Sequence, residues 1–290
     1  MFKGSMVALV TPFKNGKIDE KALEKLVEFH IKNGTSALVP CGTTGESATL
    51  SYDEHDRVIE LTIQFAKGRI PVIAGTGSNS TEEAIALTRH ARTAGADASL
   101  QVSPYYNRPT QKGLYLHFKA IAEAVDIPII LYNIASRTGV NIEPETFAKL
   151  AAIKNIIGVK EASGSLEQMA RIRSLCPKTF LLISGDDALT LPVMAIGGVG
   201  IISVVGNIIP RDVADMCAAY EKGNVKKAEE LHYKMLALVK AMFIETNPIP
   251  VKTAMGLMKL CEPEMRLPLC EMLPENKERL VKAMKEYKLI

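Results

Sequence analysis

The chain has 290 residues, 47% of them hydrophobic, enough to bury one large core and within the range of a single α/β barrel carrying an extension. Its 35 basic and 32 acidic residues leave a net charge of +3 with no polybasic run, which argues against a nucleic-acid or anionic-membrane surface and leaves small anionic substrates open. The first apolar run, in MFKGSMVALVTPF, breaks at Thr11-Pro12, too short for a secretory signal or a membrane span, so a cytoplasmic location is expected.

In chain order, short runs of Val, Ile and Leu predict strands at 6–10, 37–39, 71–74, 99–102, 128–132, 156–159, 181–184 and 200–205. They are continuous rather than alternating, as strands buried on both faces are. Helical patterns separate them: over 20–33, Leu23, Leu26, Val27, His30 and Ile31 share one face and Gly34 supplies the stop. Ser51 to Glu54 and Ser80 to Glu83 read as capping boxes that open the helices after strands two and three. Eight alternating units predict a (β/α)8 TIM barrel over 1–223. From residue 224 onward only helical patterns remain, at 225–244, 250–260 and 274–287, so 224–290 is expected to be a C-terminal helical region packed on the barrel.

A barrel carries its chemistry on the loops at the carboxyl ends of its strands. The run IIGVK closes on Lys160, where an ammonium leaving a packed core must find a partner or lose its proton. A neutral amine is a nucleophile toward carbonyls; the ordinary alternative is a lysine that leaves the barrel mouth and pairs with Glu161 or water. Tyr132 ends strand five, ahead of a loop carrying Arg137. The Gly42-Thr43-Thr44-Gly45-Glu46 turn after strand two offers amides and hydroxyls to a carboxylate, and strand four leads into Ser103-Pro104-Tyr105-Tyr106-Asn107. Glycine turns, strand-end tyrosines and loop arginines are each common without function, so their weight lies in co-location. Together they predict a carbonyl-chemistry site with carboxylate anchors.

Gly197, Gly198 and Gly200 precede strand eight, which suits a bend better than a phosphate site. Cys41, Cys176, Cys217, Cys261 and Cys270 are odd in number and never spaced C-x-x-C, indicating neither a disulfide framework nor a thiolate metal site. His30, His55, His90, His117 and His232 lack i, i+4 pairing and are expected on ordinary helix faces, so no metal is predicted.

The motifs VTPF from Val10, GTTGESATL from Gly42, SPYYNRPTQ from Ser103, YNIASRTG from Tyr132, GVKEASG from Gly158 and NPIPVK from Asn247 carry a resemblance over essentially the whole length. The chain resembles the dihydrodipicolinate synthases of the N-acetylneuraminate lyase family of class I pyruvate aldolases. That resemblance implies condensation of pyruvate with L-aspartate 4-semialdehyde to 4-hydroxy-tetrahydrodipicolinate, the committed step toward diaminopimelate and lysine. It implies a covalent Schiff base on Lys160 and no other cofactor. Tyr132, Thr44 and Tyr106 would form a proton relay, with Tyr106 reaching into a neighbouring subunit of a homotetramer built as a dimer of dimers. Thr43 and Thr44 would hold the pyruvate carboxylate, Ile202 and Gly185 would line the substrate site, and Arg137 would engage the semialdehyde carboxylate.

Family members that bind L-lysine as a feedback inhibitor do so at positions matching Ser47, Ala48, Tyr52, His55, Asn79, Glu83 and Tyr105. Two departures stand out: Ala135 where the family usually has proline, and Tyr52 where inhibited members often have histidine. Rival readings are a lyase for N-acetylneuraminate or a keto-sugar acid, which must accommodate a polyol chain, and a non-catalytic keto-acid-binding barrel. Arg137 in SRTG argues against the first, and the intact set Lys160, Tyr132, Thr44 and Tyr106 argues against the second.

Overall fold

The computed structural model describes residues 2–290; residue 1, at which the expected barrel segment begins, lies outside the described residues. Eight strands form one parallel sheet: β1 (Gly4–Ala8), β2 (Ala37–Val39), β3 (Ile73–Gly75), β4 (Ala98–Val102), β5 (Ile129–Asn133), β6 (Ile156–Glu161), β7 (Leu181–Ser184) and β8 (Gly200–Ser203). Their spatial order is β2-β1-β8-β7-β6-β5-β4-β3, and a parallel bridge between Leu38 and Val72 closes the remaining gap, supported by Leu38 N donating to Pro71 O at 2.9 Å. The predicted barrel is thus the observed one.

Each strand is followed by a helix: α1 (Glu20–Lys32), α2 (Tyr52–Ala66), α3 (Thr81–Ala94), α4 (Gln111–Ala124), α5 (Pro144–Leu150), α6 (Leu166–Leu175), α7 (Thr190–Ala195) and α8 (Pro210–Glu221). Met6, Ala8, Val39, Ile73, Leu100, Ile130, Tyr132, Ile183 and Ile202 fill the barrel interior. The C-terminal helices α9 (Val225–Ala241), α10 (Ile249–Leu257) and α11 (Pro274–Glu286) bury Leu231, Met235, Leu238, Met255, Leu280 and Met284 in one core with Leu23 and Leu26 of α1 and Val213 and Met216 of α8. No helix among the described residues is long and apolar enough to cross a membrane.

Several boundaries differ from the sequence reading. Strand β1 begins and ends two residues earlier than 6–10, because Gly4 registers with Gly200 and a two-residue hairpin, Phe13–Lys14 with Lys17–Ile18, takes up the chain beyond Pro12. The bend expected at Gly200 is present, with φ +145°, and a Cβ there would lie 2.1 Å from Gly4 O. Strand β8 ends at Ser203 rather than residue 205, since the Val204 and Val205 amides donate to the buried Asp187 carboxylate instead of a strand ladder. Strand β6 runs to Glu161, so Lys160 is its penultimate residue.

The helix α2 capping box is complete, with Glu54 N on Ser51 Oγ at 3.2 Å and Ser51 N on Glu54 Oε2 at 3.0 Å. The one expected on α3 is only half formed. Ser80 Oγ accepts from Glu83 N, but the Glu83 carboxylate turns away to the hydroxyls of Tyr52 and Ser78, and Ser80 N uses Ser78 Oγ instead. All five histidines lie on helices, as expected.

Candidate active site

Register assembles the first pair. Tyr132 on β5 is directly opposite Lys160 on β6, so both side chains enter the barrel, while the next residues, Asn133 and Glu161, point outward together. Inside, Lys160 Nζ stands 4.2 Å from the centre of the Tyr132 ring, and each residue is only 5% exposed. Outside, Asn133 Nδ2 donates to Glu161 Oε2 at 2.9 Å and to Asn141 Oδ1 at 2.8 Å, and Ser163 N donates to Glu161 Oε1 at 2.7 Å. Burial pushes the Glu161 carboxyl up, against these hydrogen bonds, which pull it down. Glu161 is therefore not the partner of Lys160, and Lys160 forms no ion pair among the described residues.

The threonine turn follows β2. Gly45 N donates to Gly42 O at 3.1 Å and Glu46 N to Thr43 O at 3.1 Å, while Thr11 Oγ1 donates to Gly45 O at 2.7 Å. Gly45 suits this close approach: a Cβ would lie 3.1 Å from both Cys41 N and Leu9 O, and the backbone would have to give way. Thr44 is buried, and its Oγ1 accepts from Asn247 Nδ2 at 3.0 Å. Arg137 Nη2 donates to Asn247 O at 3.0 Å. Asn247, from the segment joining α9 and α10, thus holds a β2-loop threonine with its side chain and a β5-loop arginine with its backbone.

The loop bearing Arg137 is not loose. Ala135–Thr138 forms one helical turn in which Arg137 N and Thr138 N both donate to Ile134 O at 3.0 Å and Gly139 N to Ala135 O at 2.9 Å. Ala135 occupies the first helical position, where proline is readily accommodated, so the turn persists without it.

A cavity of about 660 Å³ opens onto this mouth, lined by Thr43, Tyr132, Arg137, Thr246, Asn247 and Pro248. Ser47, Ala48, Tyr52, His55, Glu83 and Tyr105 line the same cavity, so Thr43, Tyr132 and Arg137 share it with six of the expected effector residues, while Lys160 and Thr44 lie outside its lining. Asn79 is not part of this lining; its Nδ2 donates to Tyr105 O at 3.2 Å. Hydroxyls of Ser78 and Tyr52 hold the Glu83 carboxyl below its usual range. His55 Nε2 faces Gly75 O at 2.9 Å, and burial pushes its ring down.

Ile202 is buried in the barrel interior, in register with Met6, and Gly185 N donates to Glu161 O at 2.8 Å beside the end of β6. Tyr106 is 92% exposed, with φ +70°, and does not line the cavity that its neighbour Tyr105 lines.

Residues that the sequence reading left without a role complete the site from the C-terminal side. Asn247 is one. Lys252 on α10 is another, its Nζ 2.6 Å from Glu46 Oε1. Both lie in the motif NPIPVK, Asn247 at its start and Lys252 at its end. Arg266 adds a third clamp, its guanidinium on the Glu54 carboxylate at 2.6 Å and on Thr49 O at 3.0 Å, which holds Glu54 down to about 2.

Residues 1–287 match the sequence profile of the dihydrodipicolinate synthetase family. The chain is 61% identical to 4-hydroxy-tetrahydrodipicolinate synthase of Syntrophus aciditrophicus over 290 residues, covering all of both chains. Among solved structures it is similar to dihydrodipicolinate synthase from Aquifex aeolicus, with TM-score 0.98, 52% identity and 99% of each chain covered. It is also similar to the enzyme from Cyanidioschyzon merolae with lysine bound, with TM-score 0.96 and 43% identity, covering 100% of this chain and 99% of that one.

Proposed function

The chain belongs to the dihydrodipicolinate synthetase family, and from that premise we propose that it condenses pyruvate with L-aspartate 4-semialdehyde to give 4-hydroxy-tetrahydrodipicolinate. The observation that carries this reading is Lys160 Nζ, buried at 4.2 Å from the centre of the Tyr132 ring with no carboxylate paired to it among the described residues. An amine held by an ion pair would have to break it before attacking a carbonyl; this one does not.

In the reaction, the Lys160 amine adds to the pyruvate carbonyl and water leaves, giving an iminium. The methyl group then loses a proton to the hydroxyl relay of Thr44, Tyr132 and the Tyr106 of a neighbouring subunit, giving an enamine. The enamine carbon attacks the aldehyde carbon, whose oxygen takes up a proton. The semialdehyde amino group adds to the iminium carbon, the ring closes, and Lys160 leaves as the free amine. No metal or further cofactor enters any step. Thr43 and Thr44 receive the pyruvate carboxylate, Arg137 receives that of the semialdehyde, and Ile202 and Gly185 contribute backbone at the site.

The barrel of residues 1–223 carries the reacting groups and the region 224–290 braces them. The exposure of Tyr106 suits donation across an interface, within a homotetramer arranged as a dimer of dimers in the cytoplasm. L-Lysine occupies the Tyr52, His55, Glu83 and Tyr105 end of the cavity, its ammonium on Glu83. Borohydride reduction with pyruvate, followed by mass mapping, tests the reaction. The expected product is an adduct on Lys160; an adduct on another lysine, or none, overturns it.

A further inference from the structure

A fully buried ion pair joins residues 206 positions apart, neither of which has a part in the reaction as written. Lys252 Nζ reaches Glu46 Oε1 and Glu264 O, each at 2.6 Å, with both charged side chains inaccessible to water. Glu46 Oε2 accepts from Arg266 N at 3.2 Å. The Phe13 ring faces both cations, 4.3 Å from Lys252 Nζ and 4.4 Å from Arg266 Cζ.

Burying two charges is poor value for stability alone, since desolvation offsets most of the attraction and a well-packed apolar pair does as well. The geometry of the Glu46 backbone gives the pair a different use. Glu46 has φ +54°, in the left-handed region that non-glycine residues seldom occupy. Its amide closes the turn by donating to Thr43 O at 3.1 Å. A side chain anchored on Lys252 and the Arg266 amide holds that unfavourable backbone in place. Its two preceding neighbours, Gly45 and Thr44, then have their positions set from Leu9 and Thr11 on one side and from Asn247 on the other.

We propose that Lys252 is a positioning residue for the reaction: through Glu46 it fixes the Thr43-Thr44 turn in the form that receives the pyruvate carboxylate. The inference rests on the pyruvate reading given above. It assigns the C-terminal region a task in substrate binding in addition to packing.

The test is borohydride trapping of the full-length chain across a series of pyruvate concentrations, with thermal unfolding measured on the same samples. Glu46→Gln combined with Lys252→Met removes both charges and nearly conserves volume, so it should unfold at a higher temperature than either single variant. Its half-trapping concentration of pyruvate should nonetheless rise at least tenfold above wild type. A folded double variant that traps within twofold of wild type overturns the proposal, because the pair then serves packing only. Lys252→Arg keeps the charge, and its folding is read from the same thermal unfolding; its planar head does not reproduce the bonds to Glu46 and Glu264 together, so a folded variant should show a rise of threefold or more, and a wild-type value overturns the proposal. Absence of any adduct in the wild-type chain overturns the pyruvate reading and this role with it, and is thereby distinguished from a failure of the pair alone.

Discussion

The Tyr132 ring covers the Lys160 amine across one strand-to-strand register step, and the hydroxyl at its far end is hydrogen-bonded to nothing among the described residues. Ring and hydroxyl therefore have separable tasks. Tyr132→Phe keeps the ring and should still form the reducible pyruvate adduct, while turnover falls by about two to three orders of magnitude, as expected for loss of a positioned proton carrier. Trapping and steady-state rates on the same preparation check this; a parallel loss of both would mean the hydroxyl is needed to form the iminium itself.

Arg137 donates to Asn247 O and makes no ion pair among the described residues, leaving the rest of its guanidinium for a substrate carboxylate. Arg137→Ala should weaken kcat/KM for the semialdehyde by about 2 to 5 kcal/mol while adduct formation with pyruvate survives. If both fall together, the arginine acts by holding Asn247.

Tyr106 is 92% exposed and Lys160 only 5%, so mixed subunits give a direct assay of the proposed donation across an interface. Lys160→Ala and Tyr106→Phe chains should each be nearly inactive alone. Remixed one to one, they should recover up to about a quarter of wild-type activity, from heterodimers with one complete site. Lack of recovery despite verified subunit exchange, or a fully active monomer in the ultracentrifuge, contradicts donation across the interface.

Glu83 already accepts hydroxyls from Tyr52 and Ser78, yet a carboxylate has capacity for a further donor. L-Lysine should therefore inhibit in the coupled assay, and Glu83→Ala should remove that sensitivity while leaving pyruvate trapping unchanged. Full activity of the wild-type chain at millimolar lysine would leave these residues to packing and capping.

His30 gives the fold an acid-sensitive element. Its ring is pushed from 6.5 down to about 3 by burial, and Nδ1 lies 3.1 Å from Thr35 Oγ1. Above 6.5 the ring is neutral in both folded and unfolded chains and costs nothing; below it, only the unfolded chain takes up the proton. Stability is lost progressively between 6.5 and 3, by about 2 kcal/mol from this residue at about pH 5. His117, pushed down to about 4 by burial, acts in the same direction. Urea midpoints from neutral to mildly acidic pH should fall, and more shallowly in His30→Leu; an unchanged slope would assign the acid sensitivity elsewhere.

The barrel was legible because strands buried on both faces leave unbroken apolar runs, and eight such runs at similar spacing admit few other architectures. Boundaries were less so: Val204 and Val205 look like strand but serve Asp187, a partner 17 and 18 residues away that no local pattern announces. The same holds at the site. Lys160 and Tyr132 stand out in the sequence at the ends of apolar runs and Thr43 in the glycine turn after β2, whereas Asn247 is 203 residues from Thr44 and 110 from Arg137, and nothing local to it suggests that it joins them. Glu83 shows the converse: its spacing from Ser80 satisfies a capping pattern, and the hydroxyls of Tyr52 and Ser78 outcompete it.

The clamp of Asn247, Lys252 and Arg266 on Thr44, Glu46 and Glu54 spans 203 to 212 residues of chain, so the pocket cannot be latched during synthesis until residue 266 has emerged. At cellular elongation rates about 10 to 40 s separate emergence of the threonine turn from emergence of its anchors. Lys160 follows Thr44 by 116 residues, so only the last part of that interval offers a chain with its lysine and its tyrosine but with the threonine turn unlatched. A ligand that needs the latched turn therefore stabilises the chain only after residue 266 has emerged.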